Sequence, residues 1–235
     1  MVILVPFFVA LVAAFLPGLL WLFFFTREEL HPEPKKIIAY AFSVGGLMSI
    51  PALAVQIGLK YAIPGSLPIL ALVVFAFVEE TFKFFAIYGT MRKNPALGEP
   101  ADVMIFAITA ALGFATIENF FIIAGSWETL TSLSVGGAIE TAALRFVGAT
   151  FLHALAAGVM GYFWARGIIR KTVRISITQG LLAATLLHSF FNFLILQFQG
   201  ENNLVYPSIF LIFILFFVLV DFEKLRGAGP FPQQP

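Results

Sequence analysis

Seven stretches of this sequence are apolar for about the length a bilayer demands, and no other feature restricts the fold as much. A helix needs about 20 apolar residues to cross a hydrocarbon core. The segments 2–25, 37–58, 69–90, 103–124, 145–165, 175–197 and 204–221 qualify. A backbone in lipid must satisfy its polar groups internally, so runs of this length read as helices. Only 11% of the 235 residues are charged, whereas a soluble domain carries about 25%. The expected fold is all-α, a polytopic transmembrane bundle of about seven helices with room for an eighth, short one in 125–144. One domain, 1–225, is expected, followed by a disordered cytoplasmic tail over 226–235, rich in Gly, Pro and Gln. Residues 2–26 hold no charge and no basic segment precedes them, so they read as a first membrane helix rather than a cleaved leader.

The loop charges set an orientation. Arg27, Lys35 and Lys36 lie in loop 26–36, and Arg92 and Lys93 in loop 91–102. Arg166, Arg170, Lys171 and Arg174 lie in loop 166–174, and Lys224 and Arg226 at the C-terminal end. These make eleven of the fourteen basic residues. The alternate loops hold only Lys60. Basic loops stay in the cytoplasm, so the N-terminus is expected outside the cell membrane and the C-terminus inside. A net charge of +1 argues against a nucleic-acid partner. The chain has no cysteine, which removes disulfides, thiolate metal sites and a Cys nucleophile together.

Several apolar runs carry polar groups in their interiors. Glu79, Glu80 and Lys83 lie in the third, Glu118 and Asn119 in the fourth, His153 in the fifth, His188 and Asn192 in the sixth. One Asp, Lys or Arg at a helix centre costs roughly 2.5–3.5 kcal/mol on the insertion scale. The four charged groups would therefore cost on the order of 10 kcal/mol without partners. Such residues face a bundle interior or a wet cavity and are functional candidates by default. Glu79 and Lys83 share a helix face, as do His188 and Asn192, while Glu80 points about 100° away from Glu79. Ala157 and Gly161 continue the stripe of His153, and small residues there let another helix approach. At 1.5 Å per residue, Glu118, His153 and Asn192 lie about 9, 12 and 8 Å from the outer ends of their helices, which predicts a site in the outer half of the bilayer. Each residue also has a plainer reading: Glu79–Lys83 as a structural ion pair, Arg145 as a snorkelling interface residue, Asp102 as a helix N-cap, Glu128 and Glu140 as loop acids. The convergence of carboxylates, two His and an Asn on four successive helices outweighs these readings taken singly.

Carboxylate and imidazole together can activate water for attack on an amide and then protonate the leaving amine, with an amide or imidazolium stabilising the oxyanion. Two His and one Glu can also hold Zn2+ with a position open for water. There is no HExxH, no GxSxG and no intramembrane Asp pair, and the only Ser beside the set is Ser189.

The motifs resemble those of the PrsW family of membrane proteases. Glu79-Glu80-Thr81-Phe82-Lys83 resembles its EExxK motif, and Phe114 through Asn119 its FxxxEN segment. Arg145 through Gly161 looks like its Arg/His/Gly helix, and His188 through Asn192 its last element. His31-Pro32-Glu33-Pro34-Lys35 is similar to the acidic loop after its first helix. The likeness spans about 30–195 and extends to the CAAX prenyl protease and bacteriocin-processing superfamily, whose second motif usually ends in His where this chain has Glu118. It implies an endopeptidase that cuts a single-pass, anti-sigma-factor-like membrane protein on the extracytoplasmic side of the bilayer. By the same resemblance Glu79 would polarise water. Glu118 and His153 would act as base or metal ligands, with Glu118, His153 and His188 a candidate Zn2+ set. His188 and Asn192 would bind the oxyanion, and Lys83 would hold a carboxylate ionised. Asn119 and Arg145 would support the site, and Glu80 is a further catalytic candidate. Intramembrane Glu, His and Lys would also suit a proton-coupled transporter or channel, although no repeat is visible. A non-catalytic scaffold of the same fold is the third reading.

Overall fold

The computed structural model describes residues 4–28, 33–92, 98–125, 127–198, 204–229 and 231. Every regular element among them is a helix: α1 (Leu4–Thr26), α2 (Lys35–Ala62), α3 (Pro68–Met91), α4 (Pro100–Ala124), α5 (Trp127–Ser132), α6 (Val135–Val147), α7 (Ala149–Ile169), α8 (Val173–Gln197) and α9 (Val205–Arg226). Six stretches are long and apolar enough to cross a membrane: α1, α2, α4, α6 with α7, α8 and α9. Helix α3 matches them in length, with 24 residues, but carries Glu79, Glu80 and Lys83 in its middle. It packs against α2, α8 and α4.

Helix α4 forms the centre. Its residues from Pro100 to Thr116 are all buried, as expected of a helix apolar on every side, and α7, α2 and α1 pack around it. Glycines set the two closest approaches. At the α2–α4 crossing a Cβ on Gly45 would overlap the Ala110 carbonyl, and one on Gly113 would overlap the Phe42 carbonyl. On α7 a Cβ at Gly161 would come to 2.9 Å from Met104 Cα, so the stripe below His153 does admit α4. The outer faces of α1 and α9 present Leu4, Phe8, Leu16, Phe23, Ile212 and Phe216, a surface suited to lipid.

The segment 125–144 holds two helices, α5 and α6, rather than one short one. Arg145, expected at the start of a helix over 145–165, lies instead in the last turn of α6. The chain breaks at Gly148 (φ −101, ψ −101) before α7 begins. Trp21 fastens this break from α1, donating from Nε1 to the Phe146 carbonyl at 2.8 Å and stacking on Phe151 with ring centroids 4.1 Å apart. Asp102 is not the N-cap of α4. Glu99 holds that position, and the Asp102 carboxylate accepts from the backbone N–H groups of Gly98 and Glu99 at 2.9 and 2.7 Å, a reciprocal capping box.

Contacts among the described residues bring the basic loops to one face. Arg226 donates to the Glu28 carbonyl and pairs with its carboxylate. Phe231 N–H donates to the Gly98 carbonyl at 2.8 Å, and Lys224 lies over the Tyr162 ring. The rest of the tail expected to be disordered, Pro230 and 232–235, lies outside the described residues, as do His31, Pro32 and Lys93.

Candidate active site

The polar residues of α3, α4, α6, α7 and α8 meet in one hydrogen-bonded cluster, and its two imidazoles are its hinge points. On α7, His153 is bonded at both nitrogens: Nε2 lies 2.8 Å from Glu118 Oε2 and Nδ1 lies 2.9 Å from Lys83 Nζ. On α8, His188 Nδ1 lies 2.7 Å from Glu80 Oε1, and Nε2 lies 3.7 Å from Glu79 Oε2. The two rings stand edge to face with centroids 5.2 Å apart. An ammonium has only hydrogens to offer, so Lys83 donates to His153 Nδ1, and His153 donates from Nε2 to Glu118.

Lys83 does not pair with Glu79, the i,i+4 partner that the helix spacing suggests. It pairs with Glu80, three residues back, at 2.5 Å, and both side chains are completely buried. Glu79 turns the other way, toward α2, where Gln56 Nε2 donates to its Oε1 at 2.8 Å. The adjacent carboxylates therefore approach one imidazole from two sides. Lys83 also joins the two imidazole–carboxylate pairs, touching Glu80, the partner of His188, and His153, the partner of Glu118.

Glu118 Oε1 accepts from Arg145 at 3.1 Å. Arg145 donates through Nε to Asn119 Oδ1. The Asn119 amide in turn donates to Thr150 Oγ1 at 3.0 Å and to the Ala14 carbonyl at 3.4 Å. This chain of contacts ties α6, α4, α7 and α1 together behind Glu118. Asn192 is not brought into the cluster. It lies one turn beyond His188, partly exposed, and makes no side-chain hydrogen bond among the described residues. Gln56 and Thr150 are the participants that spacing arguments miss. The available signal for Gln56 was of the same kind as for the others, an amide inside an apolar run.

Exposure within the cluster is uneven. Glu118 retains 30% of its side-chain exposure and Glu79 14%, whereas His153 and His188 retain 2% and 4%. Glu79 and Glu118 therefore face the approach of water or substrate, with Glu80 and Lys83 sealed beneath.

Glu79, His153 and His188 can each offer one ligand atom, all within 4.8 Å of one another. Two observations fit this group to a cation. Glu79 Oε2 is buried with no hydrogen-bond partner among the described residues. In addition, His188 has the Glu80 carboxylate on Nδ1 and presents Nε2 toward Glu79, the arrangement that fixes a metal-ligating His in its tautomer. At His153, Glu118 takes Nε2 and Lys83 takes Nδ1, so a ligand role there requires Lys83 to release Nδ1 and pair with Glu80 alone. In this group Glu79 stands where the sequence motifs suggested Glu118, and Glu118 instead braces His153.

Residues 33–220 match the family model described as PrsW family intramembrane metalloprotease. The chain belongs to the PrsW family. Relatives named Protease PrsW include that of Bacillus subtilis (strain 168), 24% identical over 226 residues that cover 94% of this chain and 98% of the relative. That of Halalkalibacterium halodurans is 25% identical over 223 residues, covering 94% and 98%. That of Oceanobacillus iheyensis is 27% identical over 209 residues, covering 86% and 90%. No solved structure matches the chain. PrsW membership, with six apolar helices, makes this an integral membrane protein that hydrolyses peptide bonds of a membrane-protein substrate within a lipid bilayer. It turns the transporter and scaffold readings aside.

With Glu79 as a metal ligand, Gln56 would act through it. Gln56→Leu leaves Glu79 Oε1 without its donor, and partners of this kind typically contribute 10- to 100-fold in metal affinity. A loss of about that size is expected in competition with a chelator. An unchanged affinity would remove Gln56 from the site.

Proposed function

We propose that Glu79, His153 and His188 hold a zinc ion, and that this centre cuts a single-pass, anti-sigma-factor-like membrane protein in the outer half of the bilayer. The observation that carries the reading is the convergence, within 4.8 Å, of ligand atoms from two imidazoles and from Glu79, whose Oε2, like Glu80 Oε2, is buried without a hydrogen-bond partner among the described residues. Two His and one Glu form a donor set of catalytic zinc peptidases, and hydrolysis needs no redox-active ion. When bound, the ion would supply Lewis-acid polarisation of water and carbonyl.

The chain's own residues supply the rest. Glu118 is the most exposed carboxylate of the cluster. It accepts the proton of the attacking water at Oε2 or Oε1 and returns it to the leaving amine. Arg145 holds Glu118 in place and keeps positive charge beside it. Glu80 orients the His188 imidazole from below, and Lys83 holds the Glu80 carboxylate ionised. The Asn192 amide, uncommitted to the cluster, is available to donate to the oxyanion. The single-pass substrate rests on the motif resemblance alone.

The test is cleavage by the purified full chain in detergent of a reporter carrying one transmembrane helix. Cleavage should stop with a chelator and return with zinc. Persistent cleavage in a metal-stripped sample would sink the zinc reading, and failure on every single-pass reporter would sink the substrate class.

The positive-inside rule places the face carrying the four basic segments in the cytoplasm. The chain lacks cysteine, so a single Cys introduced into loop 166–174 should react with an impermeant reagent only after the membrane is opened. Labelling in intact cells would reverse the orientation and with it the outer-half site.

A further inference from the structure

On the face that carries the basic loops, starting nine residues along α7 from His153, the ends of α7 and α9 border an open cleft of about 440 Å³. Three cationic side chains line it, Arg166, Arg170 and Lys224, together with Tyr162 and the apolar Ile169 and Leu225. The Arg166 guanidinium lies 5.3 Å from the Tyr162 ring centre and the Lys224 ammonium 5.6 Å from it, so one aromatic ring gathers two of the charges. Lys224 has an acid partner, Asp221, at 2.8 Å. Among the described residues neither Arg166 nor Arg170 has a carboxylate within ion-pair distance. The neighbouring acid, Glu223, is taken by Arg226 at 2.7 Å. The cleft thus has more positive charge than the protein neutralises.

We propose that this cleft binds the phosphate of an anionic glycerophospholipid. An arginine fork matches phosphate oxygens two at a time, and basic cavities between membrane helices accept anionic headgroups. The position argues for lipid over a soluble anion: both helices are long and apolar enough to cross a membrane, and Ile169, 42% exposed, gives the cleft an apolar side along which an acyl chain can leave. Basic residues that only set topology would need neither a cleft nor a shared aromatic ring.

The test uses the full chain in detergent, with phosphatidylglycerol retention against phosphatidylcholine read by native mass spectrometry. Phosphatidylglycerol should be preferred. Each charge removed from the cleft should weaken its retention by about fivefold, from about 1 kcal/mol per basic residue near an anionic surface. Arg166→Gln with Arg170→Gln is the principal variant. Lys224→Gln, whose side chain is 56% exposed, gives a reading that a folding defect does not confuse. Arg27→Gln with Lys36→Gln, on the same face but outside the cleft, should leave retention unchanged. Equal retention of the two lipids overturns the proposal. So does an equal loss in the cleft and control variants, which would mean general surface attraction. Displacement of the lipid by glycerol phosphate or inorganic phosphate at equal concentration overturns it in favour of a soluble anion.

Discussion

Glu118→Gln is expected to retain the bound metal and lose about 10²- to 10⁴-fold in kcat, the usual contribution of a general acid–base group. Glu79→Gln is expected to lose both metal and activity. The contrast follows from geometry: Glu79 belongs to the group whose ligand atoms lie within 4.8 Å of one another, whereas Glu118 reaches His153 and Arg145. His188→Ala should behave like Glu79→Gln. Glu80→Gln should differ from all three. Its partner Lys83 is completely buried, and breaking a buried ion pair by removing one partner costs about 3–5 kcal/mol, so this variant should unfold readily. Metal content, kcat at saturating substrate and thermal unfolding in detergent separate the four. A Glu118→Gln protein of full activity would exclude Glu118 as the proton acceptor. A metal-loaded Glu79→Gln protein would exclude Glu79 as a ligand.

The second large effect is expected at the α2–α4 crossing, on stability rather than on chemistry. A methyl group at Gly45 or Gly113 meets backbone rather than a side chain that can turn away. Alanine there should cost about 3 kcal/mol or more, the upper part of the overpacking range, against a helix-propensity gain of about 1 kcal/mol. Gly58, on the same helix as Gly45, has nothing within 4 Å of its would-be Cβ, so Gly58→Ala should be neutral or slightly stabilising. Comparable unfolding midpoints for Gly58→Ala and Gly113→Ala would show that the α2–α4 crossing is looser than the structure has it.

Most of the helices were legible because apolar runs of bilayer length have few alternatives. The boundary between α6 and α7 was not. Residues 135–169 stay predominantly apolar and hold six glycines, and nothing in the sequence sets Gly148, where the helix breaks, apart from the five that helices accommodate. The cluster residues could be found as polar groups where lipid would penalise them, and the structure does bring together Glu79, Glu80, Lys83, Glu118, Asn119, Arg145, His153 and His188. Their partners were harder to read. Lys83 can reach carboxylates three or four residues back, and only the position of His188 decides for Glu80. Asn192 shares a face with His188, yet one turn along α8 moves it about 5–6 Å, enough to leave the cluster. Gln56 lay open to view, but an isolated amide in an apolar run predicts no partner by itself.

The two neighbouring carboxylates of α3 that flank one imidazole have a consequence for how this chain can change length. One residue inserted or deleted in α3 ahead of Glu79 would turn the pair by about 100° and shift it by about 1.5 Å, taking one carboxylate toward lipid and the other off His188. No side-chain rearrangement restores both contacts, because they come from consecutive positions. The loops between helices can absorb added residues one at a time, whereas α3 between Pro68 and Lys83 is fixed in count.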